Sequence, residues 1–193
     1  MKYKYFLIKF CYIITGVMIF ISFPSCKEKA EDTKEVALER NDDKFDNAQE
    51  EDAAFMVAVA EFNLQQAQFG NLTAVKSTNA EIKSFGGRME EMHNRNMIEL
   101  RAIAASKQIS IPTSLTEENK KNYNALNKND IEDFDSDYLE RIIDDHQEAI
   151  ENYTKHSEET ADPDIKNWLA LQLATLREHL DAAKTLQLKL NRE

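Results

Sequence analysis

Four polar residues, one on each long helix, fall on stripes that are largely apolar: Gln66, His93, His146 and His179. Each sits in a run of large apolar residues recurring at steps of three and four, the spacing that lays one face along a helix. An imidazole or amide placed on such a face leaves water and must find a partner. Measured along the chain, Gln66 lies 12 residues before Thr78 and His93 lies 15 after it. His146 lies 16 residues before Asp162 and His179 lies 17 after it. At about 1.5 Å per residue, all four stand about 18–26 Å from their turns and so at a common height. One inward polar residue per helix at one height is how a helical bundle builds an internal site. Three imidazoles with an amide oxygen suit one divalent transition metal, zinc, iron or copper. A plainer reading uses the same residues: the histidines satisfy one another, Gln66, Gln172, Tyr138 or Tyr153 through hydrogen bonds or a trapped water.

Other ionisable groups are secondary candidates. Glu90 stands three residues before His93, a Glu-x-x-His spacing used in di-iron bundles. Leu176 occupies the place where a second such glutamate would stand, and other seam carboxylates are lacking, so a four-carboxylate di-iron oxidase is disfavoured. Asp145 adjoins His146, but neighbouring helix positions point about 100° apart. Asp145 is therefore expected in solvent, able to orient the ring only by turning inward. His156, ten residues beyond His146, is expected at the surface or in an end layer. Nothing in the chain resembles a Ser/His/Asp arrangement, a glycine-rich phosphate loop or a basic-aromatic stripe, so no catalytic residue is assigned. A net charge of −11 argues against nucleic acid and against charge-driven docking on anionic lipid.

The elements that must carry these residues read as long helices, since four glycines and three prolines are too few for a many-turned β protein. A first helix spans 52–74 with Phe55, Val59, Phe62, Gln66, Phe69 and Thr73 on one seam. Thr78 and Glu81 form a capping box opening a second, with Ile82, Phe85, Met89, His93, Leu100 and Ile103 inward. Pro112 ends it, and a short helix over 116–127 follows. Ser136 is the expected cap of a third long helix, ending near Ala161. Asp162-Pro163, an aspartate cap before a proline at the first helical position, opens a fourth carrying Ile165, Leu169, Gln172, Leu176, His179, Ala183, Leu186 and Leu190. The short turns near 76–78 and 161–163 make two antiparallel hairpins, joined by a crossover of about 30 residues that can run the bundle's length. The expected fold is all-α: a ferritin-like four-helix bundle over 53–190, two antiparallel hairpins joined by a long crossover with a short extra helix.

The N-terminus reads as an address. Lys2, Lys4 and Lys9 precede an uncharged run over 10–25, short for a membrane span of roughly 20 residues but suited to a signal peptide. Phe23-Pro24-Ser25-Cys26 resembles the lipobox of bacterial lipoproteins, which implies a signal peptide over 1–25, cleavage before Cys26 and acylation of that cysteine. An uncleaved signal anchor is the alternative. Lys27-Glu28 is similar to the charged export tag of surface-exposed lipoproteins. Residues 27–52 hold eleven acids, five bases and three large apolar residues, and read as a disordered acidic tether over 26–52. Cys11 and Cys26 are the only cysteines, so the bundle holds no disulfide.

Several stretches together resemble the DUF4142 family, bacterial envelope proteins of unassigned function with a ferritin-like fold. They are Gly70-Asn71-Leu72, Ile82-Lys83-Ser84-Phe85-Gly86-Gly87-Arg88-Met89 leading to His93, Asp145-His146-Gln147-Glu148-Ala149-Ile150, Asp162-Pro163-Asp164-Ile165-Lys166 and Leu176-Arg177-Glu178-His179-Leu180. The resemblance puts the family's recurrent histidines on His93, His146 and His179. It also marks two departures: Gln66 stands where the family usually has Glu, and Met92 where it usually has Asp. A neutral amide is a poor metal ligand, so the departures weaken a metal site if the family has one. The leading reading is a lipid-anchored envelope protein, at the outer membrane facing periplasm or cell surface, non-catalytic and serving envelope maintenance or stress. A metal-binding or redox module and a carrier of a small apolar ligand are the rivals.

Overall fold

Helix boundaries follow local chemistry throughout residues 33–192, the part of the chain described by a computed structural model. The helices are α1 (Thr33–Asp42), α2 (Asn47–Lys76), α3 (Ala80–Lys107), α4 (Glu117–Lys128), α5 (Ile131–Glu159) and α6 (Pro163–Leu190). At α6, Asp162 Oδ1 accepts from the Asp164 and Ile165 amides at 2.9 and 3.1 Å, with Pro163 in the first turn. Thr116 caps α4 in the same way, accepting from the Asn119 amide at 3.1 Å. Two expected caps move. Asn79 rather than Thr78 caps α3, accepting from the Glu81 and Ile82 amides; asparagine is the better cap of the two neighbours. α5 is capped at Asp130, six residues before Ser136, because Lys76 donates to the Asn127 and Asn129 carbonyls and lies over the Phe134 ring at 5.0 Å. That anchors the turn early and leaves Phe134 buried.

Contacts between helix ends fix the connectivity. Lys107, ending α3, bridges to Asp162 and Asp164 at the start of α6, and Asp52 early in α2 pairs with His156 late in α5. At the other end Lys76 of α2 meets the start of α5, and Lys189 of α6 pairs with Glu81 of α3. α2 is therefore antiparallel to α3 and α5, and α6 is antiparallel to both as well. The crossover over 108–130, carrying α4, travels from one end of this helical bundle to the other. Two apolar clusters fill it on either side of its middle, one around Met56, Leu100 and Leu169, the other around Phe69, Phe85, Tyr138 and Ile142.

The α2–α3 hairpin is closed by glycines in backbone contact. A Cβ on Gly70 would stand 2.6 Å from both the Glu90 nitrogen and the Gly86 oxygen, and one on Gly86 would stand 2.8 Å from the Gly70 oxygen. Only hydrogen fits at either position.

The acidic stretch expected to be a disordered tether is helical from Thr33. Ala37 and Asn41, four residues apart, form the buried face of α1. Asn41 also acts as a surrogate peptide group: its Nδ2 donates to the Ser110 carbonyl and its Oδ1 accepts from the Ser110 amide, each at 2.8 Å. Those paired bonds hold a segment whose composition alone is too polar to fold. The expected signal peptide and export tag, with Cys26, lie outside the described residues. Among the described residues no helix is long and apolar enough to cross a membrane.

Candidate metal centre

His93 on α3, His146 on α5 and His179 on α6 meet in the middle of the bundle. Their ring centroids are 5.6, 5.4 and 5.5 Å apart, close to an equilateral triangle. One ring nitrogen from each lies within 4.8 Å of the other two. His93 and His146 have no exposed surface. His179 is half-buried as a residue, with its Nδ1 enclosed.

Hydrogen bonds on the outer nitrogens fix the protons. His146 Nδ1 lies 2.9 Å from the Ile142 carbonyl, and a carbonyl only accepts, so Nδ1 carries the hydrogen and Nε2 a lone pair. His93 Nδ1 lies 2.9 Å from Asn63 Oδ1. Asn63 Nδ2 donates to the Val59 carbonyl at 2.8 Å, which leaves its oxygen toward the ring and makes His93 Nδ1 a donor as well. The inner nitrogens, His93 Nε2, His146 Nε2 and His179 Nδ1, have no hydrogen-bond partner. In His93 and His146 the outer N–H is anchored and the inner lone pair is free, the arrangement that ligand histidines adopt.

Electrostatics keep the rings neutral. Burial, then the neighbouring His146 and His179, hold His93 well below the usual imidazole range. Burial, then His179, lowers His146 to about 3. Burial, then the Arg88 guanidinium, lowers His179 to about 4. Near neutral pH no proton competes for the lone pairs. Tetrahedral zinc with bonds near 2.0 Å needs nitrogens about 3.3 Å apart, so inward ring shifts of about 1 Å would close the triangle onto an ion. The donor set fits such a metal.

The surrounding residues depart from expectation in instructive ways. Gln66 is fully buried, but its Nε2 donates to Asp145 Oδ2 at 2.7 Å and its Oε1 has no partner. Asp145 is thus not a solvated neighbour of His146: it turns toward α2, accepts from Gln65 at 3.2 Å as well, and burial raises its pKa against those hydrogen bonds. Glu90 stays outside the triangle and accepts from Asn71 at 2.9 Å. Three residues fall about 60° short of a full turn, and the glycine contact brings Asn71 to that side. His156 lies in an end layer as one of the two expected placements had it, buried there, stacked on Phe55 at 3.9 Å and bonded to Asp52 at 2.8 Å, away from the triangle. Gln172, on the α6 seam, donates with Trp168 to Glu99. Asn63 is the functional residue the seam pattern missed. Its signal was present, since it lies four residues after Val59 and three before Gln66 on the same face. Phe62, on the α2 seam, sits edge-on to both His93 and His146 at 5.4 Å.

A family model described as "Domain of unknown function (DUF4142)" matches residues 38–186, from within α1 to near the end of α6. The chain belongs to the DUF4142 family. The match carries all three histidines, Gln66, Asn63 and Asp145 in a domain with no assigned activity. No curated protein matches this DUF4142 chain, and no solved structure matches it.

Proposed function

We propose that this DUF4142 chain binds one divalent transition ion through His93 Nε2, His146 Nε2 and His179 Nδ1. The observation that carries the reading is three enclosed ring nitrogens without partners, on three histidines that each bring a ring nitrogen within 4.8 Å of the others. A polar core closed by its own hydrogen bonds would satisfy those nitrogens, because each unpaired buried polar atom costs about 1–3 kcal/mol. Zinc, copper and iron suit an all-imidazole set, and three protein ligands leave a fourth position for water or for Gln66 Oε1. The amide is the weaker donor, which favours water there. No catalytic residue is assigned, and the domain serves as a metal-binding module of the bacterial envelope. The Ser25-Cys26 signal supports attachment through lipid on Cys26, at an outer membrane.

The test is elemental analysis of the full-length protein, purified in detergent, stripped with chelator, offered zinc or copper and desalted. About one ion per chain is expected, falling to background in His179→Leu, which removes the least buried ligand and spares the fold. Less than about a tenth of an equivalent in the parent protein would defeat the reading.

A further inference from the structure

Among the described residues, three grooves open around the middle of the bundle; one, beside α4 and α5, is lined by Asp137, Glu140, Asp144 and Asp145 against Arg141 but lacks Phe62. On the α3/α6 side a shallow groove is lined by Glu81 and Asp181 against Lys189 and Arg88, so its charges balance and it does not concentrate cations. The Arg88 charge acts on His179 from there, and the same charge repels an arriving dication. On the α2/α5 side a groove of about 550 Å³, walled in part by α4, is lined by Glu61, Glu118, Asp145, Glu148 and Glu159 against one lysine, Lys155. Glu61 is ion-paired to Lys34; the wall is acidic without it. A cleft lined by one sign of charge concentrates the opposite ion and speeds its arrival.

Phe62 joins this groove to the centre, and Asp145, next to His146 in the chain, lies on its wall. Asp145 grips Gln66, whose buried Oε1 is unpartnered. Phe62 also lines the groove, and its ring lies against both His93 and His146. The phenyl ring thus stands between the groove and two of the three ligands, and it is only half-buried.

We infer that divalent cations reach the histidines through the α2/α5 groove, captured by its carboxylates, handed on at Asp145 and admitted when the Phe62 ring swings aside. This rests on the metal-binding reading above. Asp145 is a relay ligand and Phe62 a barrier; neither sets the final affinity, which belongs to the imidazoles. The route therefore shows in rates rather than in equilibrium.

The experiment is stopped-flow loading of the metal-stripped full-length protein with zinc, followed by extraction with excess chelator. Phe62→Ala should accelerate loading and extraction by the same factor, about tenfold for a barrier lowered by about 1.4 kcal/mol, with unchanged stoichiometry. Phe62→Leu keeps the core filled and should move the rates the same way by a smaller factor. Asp145→Asn should slow loading by about tenfold, and raised salt should slow the parent protein, as steering requires. Arg88→Gln should leave loading unchanged. Equal rates in all four variants would overturn the route, and so would acceleration in Arg88→Gln with the Phe62 variants unaltered, which would put access on the α3/α6 side. A parent protein that takes up no zinc at all would instead defeat the binding reading, and this inference with it.

Discussion

Gly70→Ala should be the most damaging single-methyl change in the domain, and Gly87→Ala among the most benign. Both glycines are helical and neither has positive φ, so alanine is acceptable to the backbone at each site. The difference lies in what the added carbon meets. At Gly70 it would stand 2.6 Å from two backbone atoms of α3, where ordinary contact begins at 3.4 Å; at Gly87 it meets nothing within 4 Å. No rotamer relieves a clash with backbone, so α2 and α3 must part along a face that buries Phe69, Leu72, Phe85 and Met89. A gap of 0.5–1 Å forfeits about a quarter to a half of each contact's dispersion energy, and overpacking of this kind costs about 1–3 kcal/mol. Alanine's helix propensity returns about 1 kcal/mol at either position. Gly70→Ala is thus expected to lose about 1 kcal/mol and Gly87→Ala to gain up to about 1, a separation of about 4–8 °C in Tm for a domain of this size. The strain falls beside Glu90, one turn before His93, so metal affinity should fall with stability. Thermal unfolding of the two variants side by side is the assay. A Gly70→Ala protein that melts at or above Gly87→Ala would refute the close-contact reasoning.

Three further outcomes follow from the site and its address. The metal-free protein should lose stability as pH falls below about 6.5: the unfolded chain binds protons there while the folded histidines, held as low as about 3 and 4, do not. The loss should approach about 1 kcal/mol per pH unit per histidine, read from urea midpoints at pH 7.5 and 5.5, and a flat profile would contradict buried neutral rings. Asn63→Leu removes the acceptor that fixes the His93 proton and should weaken zinc binding about 10–100-fold by titration calorimetry; an unchanged affinity would deny Asn63 that role. Cys26→Ala should move the protein from the membrane fraction to the soluble fraction of fractionated cells, and a variant still firmly bound would contradict a lipid anchor.

The three histidines were legible because a polar residue on an apolar stripe is conspicuous, and because counting from turns gives height along a helix to within a residue or two. Height is set by the rise per residue, which is nearly invariant. Rotation is not, and that is where the reading stopped. Asp145, placed in solvent by its 100° offset from His146, instead reaches Gln66 across the α2–α5 contact. Glu90, placed beside His93 by spacing, is drawn to Asn71 by the glycine approach of α2 and α3. Asn63 escaped notice because one position off a seam looks like a flank until the neighbouring helix is known. α1 is hidden in the sequence for a different reason: average composition masks a two-residue face, and Ala37 with Asn41 is enough when Asn41 can pair with the Ser110 backbone.

The central claim is that three imidazoles act as one set of ligands, and long-range proton–nitrogen NMR of the histidine rings reads it directly. Without metal, His93 and His146 should carry their hydrogens on Nδ1, with Nε2 bare. On adding zinc, the bare nitrogens of His93, His146 and His179 should shift together and saturate at one equivalent, with His156 unmoved. Rings that titrate separately, or that keep their metal-free shifts in excess zinc, would contradict the account.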